Sequence, residues 1–192
     1  IDSIAGSGGD NLITGGLGLD SLDGKDGSDT YTFNAGAEHT GAEIRDTGST
    51  GSDTVIFSSS IANDKLTLYA GDTGIEAIRI GGPLTASAES YSPPQSGKTL
   101  TSTTALDLDA SAVTTGLRIT GNDGDNKISG SRLDNTIIGG DGRDSINGGM
   151  GNDAIYGGLG NDRLTGGSGL DIFGFDCLPD SASNRDTITD FN

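Results

Sequence analysis

The chain has 192 residues, of which 34 are glycine and only 5 % aromatic, so it lacks the large side chains that fill a conventional packed core. Its formal net charge of −17 argues against nucleic acid, acidic polysaccharide or anionic lipid as a partner. The single cysteine, Cys177, excludes an internal disulfide framework and reads as a small packed residue, and no apolar run is long enough to insert into a membrane as a helix.

Residues 1–32 open on a nine-residue period. GSGGDNLIT (6–14), GGLGLDSLD (15–23) and GKDGSDTYT (24–32) have the form G-G-x-G-x-D-x-U-x, where U is a large aliphatic residue in the clearest copies. Ile1 to Ala5 fit the tail of one more unit, so the chain reads as part of a longer protein. Residues 33–120 break the register and form a β-rich spacer with short strands expected at 42–46, 53–57, 65–69, 75–80, 105–109 and 116–120. Alternation at Leu66 and Leu68, and at Ile78 and Ile80, supports half-buried strands, whereas the Ser/Thr/Pro-rich stretch 87–104 reads as a loop. Leu106, Leu108, Leu117 and Ile119 mark the last two strands as metal-free rungs leading into a second repeat block; the earlier strands are compatible with further rungs or with a separate small sheet.

From residue 121 the nonapeptide returns in six units without a break: GNDGDNKIS, GSRLDNTII, GGDGRDSIN, GGMGNDAIY, GGLGNDRLT and GGSGLDIFG, ending at 174. The three from Gly139 match at every position. Beyond them, DIFGFD (171–176) and DTITDFN (186–192) bracket a polar loop, and residues 175–192 are expected to cap the open end of the coil. The fold class is therefore all-β, a parallel β-roll in two repeat blocks joined by the spacer.

The spacing carries a specific chemistry. Glycines at the first, second and fourth places let a six-residue turn aim several carbonyl oxygens at one point, and the sixth-place Asp adds a carboxylate. The remaining x-U-x is a minimal strand that sends U to one face, so two units make one full turn of a flattened coil. Calcium takes six to eight oxygens at about 2.3 to 2.6 Å, and one short turn offers only about three, so two stacked turns must share each ion. Rungs lie about 4.7 to 4.9 Å apart, which suits an ion midway between them. Partners are then two units apart: Asn126 with Asp144, Asp144 with Asp162, Asn135 with Asp153, Asp153 with Asp171, Asn11 with Asp29, and Asp2 with Asp20, or about six Ca2+ ions. Pairs containing Asn carry less charge and should bind more weakly.

Each unit offers the core one large apolar residue: Ile128, Ile137, Ile146, Ile155, Leu164 and Phe173. One such burial does not offset the entropy of ordering nine residues, so the arrays are expected to be disordered without calcium and to coil when it binds.

With both arrays laid out, the chain resembles the RTX, or hemolysin-type calcium-binding repeat, domain of bacterial proteins exported by type I secretion. The resemblance covers residues 6–32 and 121–174, and FGFDCLPDSASNRDTITDF is similar to the segment located after such repeats in secreted metalloproteases. The middle segment is similar, more loosely, to spacers of large surface and S-layer proteins. The resemblance implies sites built from second- and fourth-place carbonyls and the Asp of one turn, with first- and third-place carbonyls and the Asp two units on. Carried over, one site is Gly140, Gly142, Asp144, Gly157, Leu159 and Asp162, and the next is Gly149, Gly151, Asp153, Gly166, Ser168 and Asp171. The outer sites take Asn122, Gly124 and Asn126 with Gly139, Asp141 and Asp144; Asn135 with Gly148, Met150 and Asp153; Asn11 with Gly24, Asp26 and Asp29; and Asp2 with Gly15, Leu17 and Asp20. Asn11, Asn126 and Asn135 at the Asp place, Lys25 and Ser131 at the second and Leu133 at the fourth depart from the pattern.

The resemblance implies a non-catalytic, calcium-responsive module of a secreted or cell-surface protein, disordered in the low-calcium cytosol, passed by the type I secretion apparatus and folded outside. Two alternatives stand beside it: an S-layer or adhesin building block with calcium-dependent self-association, and the carboxy-terminal module of a secreted enzyme whose catalytic domain lies upstream. No H-E-x-x-H or G-x-S-x-G occurs, and His39, the single histidine, reads as a surface or turn residue. GKT at 97–99 lacks the upstream glycine of a phosphate loop, whose place is Ser92. No regular Thr column beside the turns supports ice binding.

Overall fold

The computed structural model describes residues 1–81, 102–175 and 183–191. Cys177, the GKT tripeptide and most of the stretch 87–104 lie outside them. The strands are β1 (Ser3–Ala5), β2 (Leu12–Ile13), β3 (Ser21–Asp23), β4 (Thr30–Phe33), β5 (Thr54–Phe57), β6 (Asp64–Thr67), β7 (Ala77–Ile80), β8 (Leu106–Asp109), β9 (Arg118–Thr120), β10 (Lys127–Ser129), β11 (Thr136–Asp141), β12 (Ser145–Met150), β13 (Ala154–Leu159), β14 (Arg163–Ser168), β15 (Ile172–Gly174) and β16 (Thr187–Ile188). One short 3-10 turn, Gly36–Glu38, interrupts them. Among the described residues no helix is long and apolar enough to cross a membrane.

Every pairing between these strands is parallel, and consecutive strands alternate between opposite sides of a flattened coil except at β4 and β5, which pair directly with each other. One ladder runs in the order β15-β13-β11-β9-β7-β5-β4-β2 and the other in the order β16-β14-β12-β10-β8-β6, while β1 pairs with β3. Bridges from Leu22 to Ile44 and from Arg45 to Thr73 carry the β1-β3 ladder onward. The protein is a parallel β-roll.

Strand register stacks like on like. Leu66, Leu108, Ile128, Ile146, Leu164 and Ile188 form one column, and Tyr31, Val55, Ile78, Ile119, Ile137, Ile155 and Phe173 form the other. These columns form a single core from Ile13 to Leu164, with Phe173 packed at its edge. Between the two blocks each rung contributes a second large residue: Phe33, Phe57, Leu68, Ile80 and Leu106 are all essentially solvent-free. The described strands between the arrays thus join the same coil, and β8 and β9 pair directly with β10 and β11.

His39 corrects a sequence expectation. It is buried, not at the surface, with Nε2 2.8 Å from Asp72 Oδ2 and Nδ1 3.5 Å from Glu43 Oε2. Phe33 and Tyr69 flank its ring. Phe33 ends β4, Glu43 lies in the loop that follows and Asp72 belongs to a distant turn, a combination that no local pattern reveals.

Candidate metal centres

The turns stack as the strands do, and the sixth-place carboxylates form a ladder of their own. The Oδ1 of each accepts the backbone N–H of the sixth-place residue 18 positions earlier: Asp20 from Asp2 at 2.7 Å, Asp29 from Asn11 at 2.7 Å, Asp144 from Asn126 at 2.8 Å, Asp153 from Asn135 at 2.8 Å, Asp162 from Asp144 at 2.8 Å and Asp171 from Asp153 at 3.0 Å. All six pairs expected from the sequence are therefore neighbours across one rung.

The second oxygen is the informative one. Oδ2 of Asp20, Asp29, Asp144, Asp153 and Asp162 is buried and accepts no hydrogen bond. A carboxylate oxygen in that condition costs several kcal/mol unless a cation or proton meets it. Burial accordingly pushes the carboxyl of Asp144 up to about 8, with the negative charge of Asp162 adding to it, and that of Asp162 to about 7, with Asp186 adding to it. Asp153 and Asp29 are raised by the same desolvation.

The glycines shape the cradle. A methyl group on Gly139 would overlap Asp144 Oδ2 and crowd the Gly157 carbonyl; on Gly148 it would meet Asp153 Oδ2 and the Gly166 carbonyl; on Gly157 it would overlap Asp162 Oδ2, and on Gly166 Asp171 Oδ2. Gly158 (φ 101°) and Gly160 (φ 140°) hold left-handed backbone and lie against the carbonyls of Gly140 and Gly142, which point from the turn below. The third-place carbonyls of Leu159 and Ser168 accept N–H groups of Gly142 and Gly151 at 2.8 and 2.9 Å and keep one lone pair each. Unpartnered carboxylate oxygens beside convergent carbonyls form an all-oxygen donor set that fits calcium. Met150 and Leu17, expected to lend only carbonyls, expose their side chains.

The Asn turns are arranged differently. Asn126 Nδ2 donates to the Leu106 carbonyl at 3.0 Å and to Asn122 Oδ1 at 2.8 Å, and its Oδ1 accepts the Asn122 N–H at 3.0 Å. Asn135 Nδ2 donates to Asp153 Oδ1 at 3.0 Å and to the Leu133 and Gly148 carbonyls. The amide hydrogens there go to carbonyls, to Asn122 Oδ1 and to Asp153 Oδ1, and the Oδ2 atoms of Asp144 and Asp153 stay without a partner.

Sequence reasoning missed three carboxylates that extend the ladder. Asp53 Oδ1 accepts the Asp29 N–H at 2.7 Å, Glu76 accepts that of Asp53 at 2.8 Å, and Asp186 accepts that of Asp162 at 3.1 Å. Asp53 and Asp186 lie 24 residues from their partners instead of 18, so a strict nine-residue search passes over them. The fifth place is a second omission. Asp10, Asp125, Asp134 and Asn152 accept the N–H of the residue 18 positions later at 2.7 to 2.8 Å, and the recurrence of Asp and Asn there is a visible signal.

Comparison with known families agrees with this geometry. The RTX calcium-binding nonapeptide repeat model matches the chain in four copies, at residues 1–31, 120–155, 129–164 and 138–173. No curated protein and no solved structure matches.

Proposed function

Residues 1–31 and 120–173 belong to the RTX calcium-binding nonapeptide repeat family, which occurs in secreted bacterial proteins, and on that premise we propose that this chain is a non-catalytic module whose coil forms when calcium arrives. The row of buried, unpartnered Oδ2 atoms carries the reading. In low calcium those oxygens oppose folding, and the chain stays extended enough to pass the type I secretion apparatus; outside, shared ions clamp successive turns. The strongest sites are the two all-Asp pairs. One takes Gly140, Gly142, Asp144, Gly157, Leu159 and Asp162, and the other Gly149, Gly151, Asp153, Gly166, Ser168 and Asp171.

Far-ultraviolet circular dichroism during a calcium titration tests the reading. Extracellular modules bind at roughly 10⁻⁴ to 10⁻³ M, so the β signal should rise in that range. Asp153 borders two of the proposed sites, and Asp153→Asn should move the midpoint about tenfold higher, equivalent to about 1.4 kcal/mol. Full β content in excess chelator at neutral pH, or a midpoint well below micromolar, would refute it.

A further inference from the structure

Strand β4 pairs with β5, so the turn 24–29 is covered by the segment 46–53, whose sequence contains no nonapeptide in register. Asp53 stands above Asp29, as the hydrogen bond from the Asp29 N–H shows. On the other ladder Leu22 pairs with Ile44, which brings Asp46 above Gly24, the first place of the turn. Regular turns keep glycine there because a side chain at that position runs into the sixth-place carboxylate of its own turn, as it would at Gly139 and Gly148. Here a third carboxylate takes the position. Asp46 is held by Tyr31, whose hydroxyl donates to Asp46 Oδ2 and accepts the Gly24 N–H at 2.8 Å.

The outcome is a cluster in which one carboxylate oxygen from each of Asp29, Asp46 and Asp53 lies within 4.8 Å of the others. Two oxygens on one calcium can be at most about 5 Å apart, so a single ion can reach all three. Asp29 is 1 % exposed, and its Oδ2, the oxygen left over after Oδ1 accepts the Asn11 N–H, has no partner. Among the described residues no Lys, Arg or His pairs with any of the three.

We propose that Asp29, Asp46 and Asp53 bind a calcium ion of their own, outside the nonapeptide register, which ties the amino-terminal block to the spacer strands. The inference rests on the calcium reading of the repeats and extends it to a turn that no repeat pattern covers. Three carboxylates instead of two make this the most acidic of the sites, and so the last to release its ion during chelation.

Equilibrium dialysis of the full chain against calcium, with the bound metal counted, tests it. Asp46→Asn should bind one ion fewer than the parent, and Asp153→Asn should lose ions while the cluster keeps its own. Terbium gives a local readout, because the chain has no tryptophan and four tyrosines, one of which touches the cluster. Tyrosine-excited terbium emission should therefore drop in Tyr31→Phe. If Asp46→Asn and Asp53→Asn bind as many ions as the parent while Asp153→Asn binds fewer, the cluster is not a site and the repeat reading stands. Terbium emission unchanged in Tyr31→Phe overturns the assignment even where an Asp variant fails to fold. A parent chain that takes up no calcium overturns both.

Discussion

A sixth-place carboxylate in this coil has two different oxygens. One is fixed by a backbone N–H from the neighbouring rung, and the other faces a buried space with no donor. Only a cation or a proton can satisfy the second, and this gives acid a definite effect. Burial raises Asp144 to about 8 and Asp162 to about 7, against an ordinary carboxyl value of 3.8 in the unfolded chain. The folded, metal-free coil thus holds more protons than the unfolded chain between those values, and its stability falls as pH rises through them. In calcium-depleted buffer the β signal should grow as pH is lowered from 8 toward 5, protons standing in for calcium. A dichroism signal that instead grew with rising pH would contradict the proposed metal requirement for folding.

Apart from β11, which buries Ile138 as well as Ile137, a strand of the main repeat block buries one large residue, such as Ile146 or Ile155, whereas β5, β7 and β8 each turn two onto the core: Val55 with Phe57, Ile78 with Ile80, and Leu106 with Leu108. Each additional burial contributes about 1.5 to 3 kcal/mol, so under the proposed calcium-dependent folding the rungs between the arrays would need metal least and the glycine-rich rungs most. Hydrogen exchange in chelator should then show protected amides in β5, β7, β8 and β9 and fast exchange in β11 to β14, with calcium slowing the latter. Uniform protection across both groups would count against a metal-dependent array. The difference is only half legible in the sequence. Alternation at Leu66 and Leu68 marks strands, but a strand buried on a solenoid and one buried on a separate sheet alternate identically, so the pattern leaves both open. The sixth-place residues are fully legible, because Asp144, Asp153 and Asp162 recur at a strict interval. His39 is not, since its partners Glu43 and Asp72 reach it only after the coil closes.

At the scale of the molecule, a net charge of −17 is distributed along one narrow coil, with the ladder of sixth-place carboxylates buried in its turns. Monovalent salt and calcium should act on that charge differently. Sodium chloride at about 1 M shortens the screening length to roughly 3 Å and relieves repulsion among surface carboxylates, but it cannot coordinate buried Oδ2 atoms. The β signal of the chelated chain should remain low in such salt and rise only with calcium; full recovery in sodium chloride would reduce the metal to a screening ion. The sequence alone determined the type of coil, its parallel ladders and the carboxylate pairs 18 residues apart, because a strict period leaves the strand register no other solution that buries the U residues. The tertiary structure alone decided the pairs across longer rungs, Asp29 with Asp53 and Asp162 with Asp186, and the approach of Asp46 to the first of them. Closing a longer loop costs little more than closing a short one, so loop length leaves the stacking open, and the apolar contacts Tyr31 on Val55 and Leu164 on Ile188 select it.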